Sequence, residues 1–253
     1  MPVSAAPPRW YLVSLRPQGG HEALRRAAAR RGGALVALSS CRLVFRDDDA
    51  SRQALDMALA SGLAVFTSPA AVHAADALRP LREVADVRWI AVGAGTAAAL
   101  RRAGAADVAH PARMDSEGLL ALPALQRIAG TTIGLVTAPG GRGMLLPALQ
   151  ARGARVLRAD VYAREPVPLP VHAIARLRTA DAPLAVALSS GEALSRVLAR
   201  LPADAAMKLR GARVLAASER LATIAREAGF DDVVIAAGPR PSQLAAAAGF
   251  DRD

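Results

Sequence analysis

The chain has 253 residues, 53% of them hydrophobic and 21% charged, which supplies ample apolar surface for packed cores and excludes a disordered polypeptide. Its length exceeds what one compact core usually needs, so two domains of about 125 residues fit as well as one large one. Thirty-two basic against 22 acidic residues give a net charge of +10, but Lys208 is the only lysine and aromatics are 3%. Arginines on solvated helix faces therefore account for the charge better than a nucleic-acid platform, which needs aromatic stacking surfaces or a recognisable finger or sheet motif. A small polycarboxylate remains a fitting partner for the positive field.

In chain order, the stretch from Met1 to Trp10 lacks a basic region followed by an apolar one, which argues against secretion. No run of about 18 uncharged apolar residues follows anywhere, so no membrane helix is expected. Cys41 stands alone and cannot form an internal disulfide. A soluble cytoplasmic protein is the expectation.

Short β-branched or apolar runs alternate with longer Ala/Leu/Arg stretches of helical spacing, the pattern of a parallel sheet covered by helices. The runs predict strands at 10–14, 63–67, 88–92, 132–137, 183–188 and 212–216. Each is followed by a small or polar turn and then a helix, and open α/β sheets bind ligands at such carboxyl ends.

The chain also matches itself. LAVFTSPAAV (63–72) lies over LAVALSSGEA (184–193), and VRWIAVGAGTAAALRRAGAADV (87–108) over ARVLAASERLATIAREAGFDDV (212–233), with Gly104 over Gly229. YLVSLRPQGG (11–20) likewise resembles GLVTAPGGRG (134–143). Three matched segments in one order point to an internal duplication and two similar parallel-sheet α/β domains. Linkers are expected at 38–44 and 160–168, the second within a proline-rich stretch. The discontinuous first domain would take 1–38 with 168–253, the second 44–160, and a cleft between paired domains is a favoured pocket.

The turns carry Thr67 and Ser68, then Gly93, Gly95 and Thr96, then Thr137 with Gly140, Gly141 and Arg142, then Ser189 and Ser190, then Ser218 with Glu219. Each places Ser, Thr or Gly where a helix begins, and the free amides and helix dipole there favour an anion. Ser and Thr are also ordinary helix caps, the commoner reason at any single turn. Five such turns on paired domains shift the balance toward a ligand for the set. His21, His73, His110 and His172 show no paired-ligand spacing, so no metal is expected, and each reads as a surface or helix-face residue. No phosphate-binding loop or nucleophile elbow is present. Tyr162 lies in the second linker, where a phenol could donate a proton or simply pack the hinge. Arg164, two residues on, could pair with a carboxylate or face solvent.

The ordered set FTSPAAV, VGAGTAAAL, SEGLL, TAPGGRGMLLPAL, RGARV, VYAR and LAASERLATIAREAGF resembles the uroporphyrinogen-III synthase family, from Arg16-Pro17 to the region of Gln243. The resemblance implies two α/β domains on a two-stranded linker, with the amino-terminal βα unit belonging to the carboxyl-terminal domain. It implies a lyase that closes hydroxymethylbilane, a linear tetrapyrrole, into uroporphyrinogen III with loss of water and inversion of the last ring, without a cofactor. It further implies a monomer and leaves open a transient contact with hydroxymethylbilane synthase. Carried over by residue, Tyr162 matches the hinge tyrosine that assists loss of the hydroxyl. Ser68, Thr96, Ser189, Ser190 and Ser218 fall in turns that would hold acetate and propionate groups, and Arg16 and Arg142 match recurrent arginines able to grip a carboxylate bidentately. The chain departs from common forms at GAGT and at SERLA, where Glu219 beside a polyanion is expected to point away. A cytoplasmic, non-enzymatic two-domain binder or sensor of a small polyanion would share these features.

Overall fold

A computed structural model describes residues 7–112, 116–140 and 144–250. Contacts divide the chain into two compact units, one running up to Arg42 and resuming at Glu165, the other Leu43–Arg164.

In the first unit, strand β1 (Trp10–Ser14) leads into helix α1 (Glu22–Ala29) and strand β2 (Gly33–Ala37). After the second unit the chain returns with α7 (Val171–Thr179), β10 (Leu184–Leu188), α8 (Gly191–Leu198), α9 (Ala203–Arg210), β11 (Arg213–Ala216), α10 (Glu219–Glu227), β12 (Val233–Ile235) and α11 (Pro241–Ala246). The five strands form one sheet in the order β12-β11-β10-β1-β2, and all neighbours run parallel. Register puts Tyr11 beside Leu184 and Ala34, so the amino-terminal βα unit is built into the sheet of the later residues.

Every residue of β1 is buried, as a central strand with both faces covered requires. The two-residue side-chain period sorts them: Tyr11 and Val13 pack with Val186, Val214 and Leu194 in one core, Trp10 and Leu12 with Leu24, Leu215 and Leu244 in another. The second core is the one covered by α1 and α11.

The second unit holds α2 (Asp49–Leu59), β4 (Leu63–Phe66), α3 (Pro69–Leu78), β5 (Arg88–Ala91), α4 (Ala94–Arg102), β6 (Val108–Ala109), α5 (Ser116–Leu120), β7 (Thr132–Thr137), α6 (Leu145–Ala151) and β8 (Arg155–Asp160). Its sheet order is β6-β5-β4-β7-β8, again parallel throughout. Phe66, Trp89 and Val136 enter one core with Leu55 and Leu100, while Val65, Ile90 and Leu135 enter the other with Leu119 and Leu149. Gly134 of β7 lets α2 approach closely: a β-carbon there would fall 2.0 Å from the Ala58 carbonyl oxygen. The two sheets share one order of connections, with β4, β5 and β7 of the second standing where β10, β11 and β1 stand in the first.

Strands β3 (Cys41–Phe45) and β9 (Tyr162–Pro166) form a separate two-stranded sheet, and the boundary between the units falls within both strands. This is the two-stranded connection that the resemblance implies. Each of the six predicted strands is present, within one residue at either end. The structure adds β2, β3, β6, β8, β9 and β12, which sequence patterning passed over. Most lie at sheet edges or in the connection, where one-sided burial and charged residues such as Arg155, Arg158 and Asp160 of β8 dilute the apolar signal.

Candidate functional site

In the second unit, Ser68 ends the turn after β4 and caps α3, accepting the Ala71 N–H at Oγ over 3.0 Å, with Pro69 at the first helical position. Thr67 before it donates to Thr137 Oγ1 at 2.9 Å, so the ends of the adjacent strands β4 and β7 are tied together. Thr96, 3% exposed, lies in the first turn of α4, which packs on α3. A β-carbon on Gly95 would come within 3.9 Å of Pro69, so the turns that carry Ser68 and Thr96 are neighbours.

Tyr162 opens β9 and is 1% exposed, its ring packed in the core with Phe66 and Val136. The packing role weighed from sequence is therefore filled, but the hydroxyl has partners of its own. Ser68 Oγ lies 3.1 Å from Tyr162 Oη, and Arg164 Nη2 donates to the same oxygen at 2.9 Å. The Arg164 guanidinium carbon also stands 5.3 Å from the ring centroid. With one phenol lone pair held by Arg164, the hydroxyl proton is free to point at Ser68 Oγ. That oxygen can accept it beside the Ala71 N–H, and the serine proton remains for a further acceptor. Capping and ligand contact are thus compatible at Ser68. Sequence reasoning left Arg164 unassigned. The usable signal was its spacing, since residues two apart on a strand share a face.

In the first unit, Ser190 caps α8 by accepting the Ala193 N–H at 3.3 Å, and Ser189 beside it is exposed. Ser218 stands at the cap position of α10 but makes no side-chain cap bond, which leaves its exposed hydroxyl uncommitted. The Ala217 N–H donates to the Leu188 carbonyl at 3.0 Å and sets these two turns side by side. Glu219 is exposed at the first position of α10, where the helix dipole favours a carboxylate. Arg142 lies outside the described residues.

Arg16 occupies the turn after β1. Burial alone pulls its guanidinium below the ordinary value, and among the described residues no carboxylate pairs with it. Its carbonyl accepts from Ser39 Oγ at 2.8 Å.

The expectation for His21 as a surface or helix-face residue is corrected here: it is 8% exposed and lies between two buried serines. Nε2 is 2.7 Å from Ser39 Oγ and Nδ1 is 2.9 Å from Ser14 Oγ. Because Ser39 gives its only proton to the Arg16 carbonyl, it must accept from Nε2–H. The neutral ring then has a lone pair at Nδ1 for the Ser14 hydroxyl. Burial first, then the positive charges of Arg25 and Arg16, hold His21 below its ordinary pKa, in agreement with the neutral form. Nothing in sequence marks this histidine, because Ser14 and Ser39 meet it only through the pairing of β1 with β2. His73 and His172 are exposed on α3 and α7 as expected, and His110 lies 3.1 Å from the Pro111 carbonyl through Nδ1.

Among the described residues, no group of His, Cys, Asp or Glu could hold a metal ion, and no helix is long and apolar enough to cross a membrane. The arrangement offers hydroxyls, amides and a guanidinium at strand ends, suited to carboxylates, with one buried phenol linked to a serine.

Known proteins resemble the chain in sequence and in fold. The uroporphyrinogen-III synthases of Salmonella typhimurium and Escherichia coli are 36% and 35% identical to the chain over 151 and 150 residues. Those matches cover 59% and 58% of this chain and 61% of either relative. A solved mutant uroporphyrinogen III synthase from Thermus thermophilus shares the fold, with a TM-score of 0.61 at 19% identity over 93% of this chain and 96% of that one. So does the uroporphyrinogen-III synthetase of Helicobacter pylori, with a TM-score of 0.58 at 15% identity over 92% and 95%. The model of the uroporphyrinogen-III synthase HemD family matches residues 22–246, and the chain belongs to that family.

Proposed function

We propose that the chain is a lyase that closes hydroxymethylbilane into uroporphyrinogen III, with loss of water and inversion of the last pyrrole ring, and that it needs no cofactor. The family match over residues 22–246 carries this reading. The Tyr162, Ser68 and Arg164 cluster gives it a chemical form.

The terminal hydroxyl of the substrate is a poor leaving group and departs as water once protonated. Ser68 Oγ–H supplies that proton and takes the proton of Tyr162, while Arg164 holds the phenol oxygen as it loses its hydrogen. The resulting azafulvenium is attacked by the substituted carbon of the last pyrrole. The spiro intermediate fragments and recloses with that ring inverted, and loss of one proton restores aromaticity and recharges the relay. The linear substrate closes on its own without inversion, so the protein's main task is to hold one conformation, which orientation by many modest contacts can accomplish. Thr96, Ser189, Ser190 and Ser218 with Arg16 and Arg142 are proposed to hold the acetate and propionate groups, through hydroxyl, amide and guanidinium donors. Residues 38–44 and 160–168 are proposed as the linkers of two functional domains. A cytoplasmic monomer, with at most a transient contact to hydroxymethylbilane synthase, completes the proposal.

The test is a coupled assay of porphobilinogen with a deaminase, followed by separation of the isomers. Addition of the chain is expected to turn the product from type I to type III. Formation of type I alone overturns the enzymatic reading.

A further inference from the structure

We infer that His21 is a positioning residue for Arg16, acting through Ser39. The inference rests on the proposed carboxylate-binding role of Arg16 and adds the device that sets it.

Arg16 sits on the turn of residues 15–20, between β1 and α1, with a partly buried guanidinium that no described carboxylate balances. Such a group holds one direction only if its backbone is pinned, because no ion pair among the described residues fixes its side chain. One pin is the Gln18 N–H on the Cys41 carbonyl at 2.9 Å. The other lies on Arg16 itself: Ser39 Oγ donates to its carbonyl at 2.8 Å.

Ser39 is 1% exposed, and without His21 its hydroxyl could turn its proton toward any nearby acceptor. The Nε2–H of His21 at 2.7 Å takes one lone pair of that oxygen and bars the proton from that side, which favours its donation to the Arg16 carbonyl. Ser14, 0% exposed, fixes the ring from the opposite side by donating to Nδ1. The chain Ser14 to His21 to Ser39 to the Arg16 carbonyl is therefore a directed line of hydrogen bonds, each donor determined by the next. It joins the ends of β1 and β2 to the backbone of the arginine. A serine-only cluster could not span it, because a hydroxyl lacks two separated nitrogens that donate at one and accept at the other. His21 is also the residue just before α1 yet makes no cap bond, since both ring nitrogens are engaged in this line.

The experiment compares wild type, His21→Leu, His21→Gln, Arg16→Ala and the Arg16→Ala/His21→Leu double variant. Two readouts are taken: KM and kcat with hydroxymethylbilane, and Kd for the polycarboxylate uroporphyrin by fluorescence quenching, which needs no turnover. His21→Leu is expected to raise KM and Kd on the order of tenfold, as for one misplaced carboxylate contact, with kcat changed less than about twofold. His21→Gln, whose amide can donate to Ser39, is expected to recover most of that loss. In the Arg16→Ala background His21→Leu should add less than about twofold, because the group it positions is gone. If His21→Leu does not fold, Ser39→Ala cuts the same line and is read in the same way. Nitrogen NMR of wild type should find the Nε2–H tautomer. Unchanged KM and Kd, an equal effect with and without Arg16, or an Nδ1–H ring overturns the inference. Failure of wild type to form the type III isomer overturns the proposed function instead, and the uroporphyrin titration still decides the role of His21.

Discussion

Replacing Tyr162 by phenylalanine removes one oxygen from a buried ring and leaves the ring's packing against Phe66 and Val136 intact. What is lost is the acceptor of Arg164 Nη2 at 2.9 Å and the partner of Ser68 Oγ at 3.1 Å. Arg164 and Ser68 are each only partly buried, and Ser68 keeps the Ala71 N–H, so neither partner is stranded in a dry interior. The stability cost should sit near the ordinary net value of a hydrogen bond, about 1 kcal/mol. In a unit of the size of Leu43–Arg164 this corresponds to about 4 °C in Tm, and the variant remains folded at about 25 °C. If the phenol supplies, through Ser68, the proton for loss of the hydroxyl, kcat falls on the order of a hundredfold, the lower end for a general acid. The assay is isomer-resolved turnover at saturating hydroxymethylbilane, with thermal unfolding followed in parallel. A variant that unfolds as described yet turns over within about twofold of wild type refutes the proton relay. Tyr162 would then be a packing residue whose hydroxyl merely orders Arg164.

Gly134→Ala should be severe. Its β-carbon would lie 2.0 Å from the Ala58 carbonyl oxygen and 2.7 Å from the carbonyl carbon, so α2 must retreat from β7 by more than about 1 Å, an overpacking cost of about 3 kcal/mol or more. An unchanged urea midpoint would refute that close approach. Ser190→Ala and Ser218→Ala should part company: the first loses a cap bond and about 0.5–1 kcal/mol, the second loses none. Ser218→Ala should instead weaken uroporphyrin binding, and equal losses of Tm in the two variants would overturn the distinction. His21 sets a pH window. The unfolded chain takes a proton near the ordinary value of 6.5, whereas the fold, by burial and by the charges of Arg25 and Arg16, takes it only at lower pH. Between the two values the unfolded state binds more protons, so stability is full above 6.5 and declines as pH falls toward the folded-state value. Urea midpoints from about pH 7.5 to 5 should show this slope in wild type and lose it in His21→Gln; identical slopes would refute it.

The sheets were legible in sequence because their central strands are buried on both faces. Residues 10–13 and Leu184–Leu188 read as unbroken apolar runs, and Gly104 and Gly229, both at left-handed φ, mark where α4 and α10 stop. The turns that carry Ser68 and Ser190 were legible because a strand that ends in Ser before a helix announces a cap, whereas Ser218 holds the cap position without that bond. Family membership followed from their order. Three-dimensional pairing decided the rest. Ser68 and Tyr162 are 94 residues apart, and they meet only because the segment before β9 and the turn after β4 are both hydrogen-bonded to the end of β7. Ser14, His21 and Ser39 have no helical or strand period that would group them, and they converge because β1 and β2 lie side by side in register. Local pattern reports which face of an element is apolar. Which polar groups share a buried space depends on contacts between elements distant in the chain, and these directed bonds are where the proposed chemistry resides.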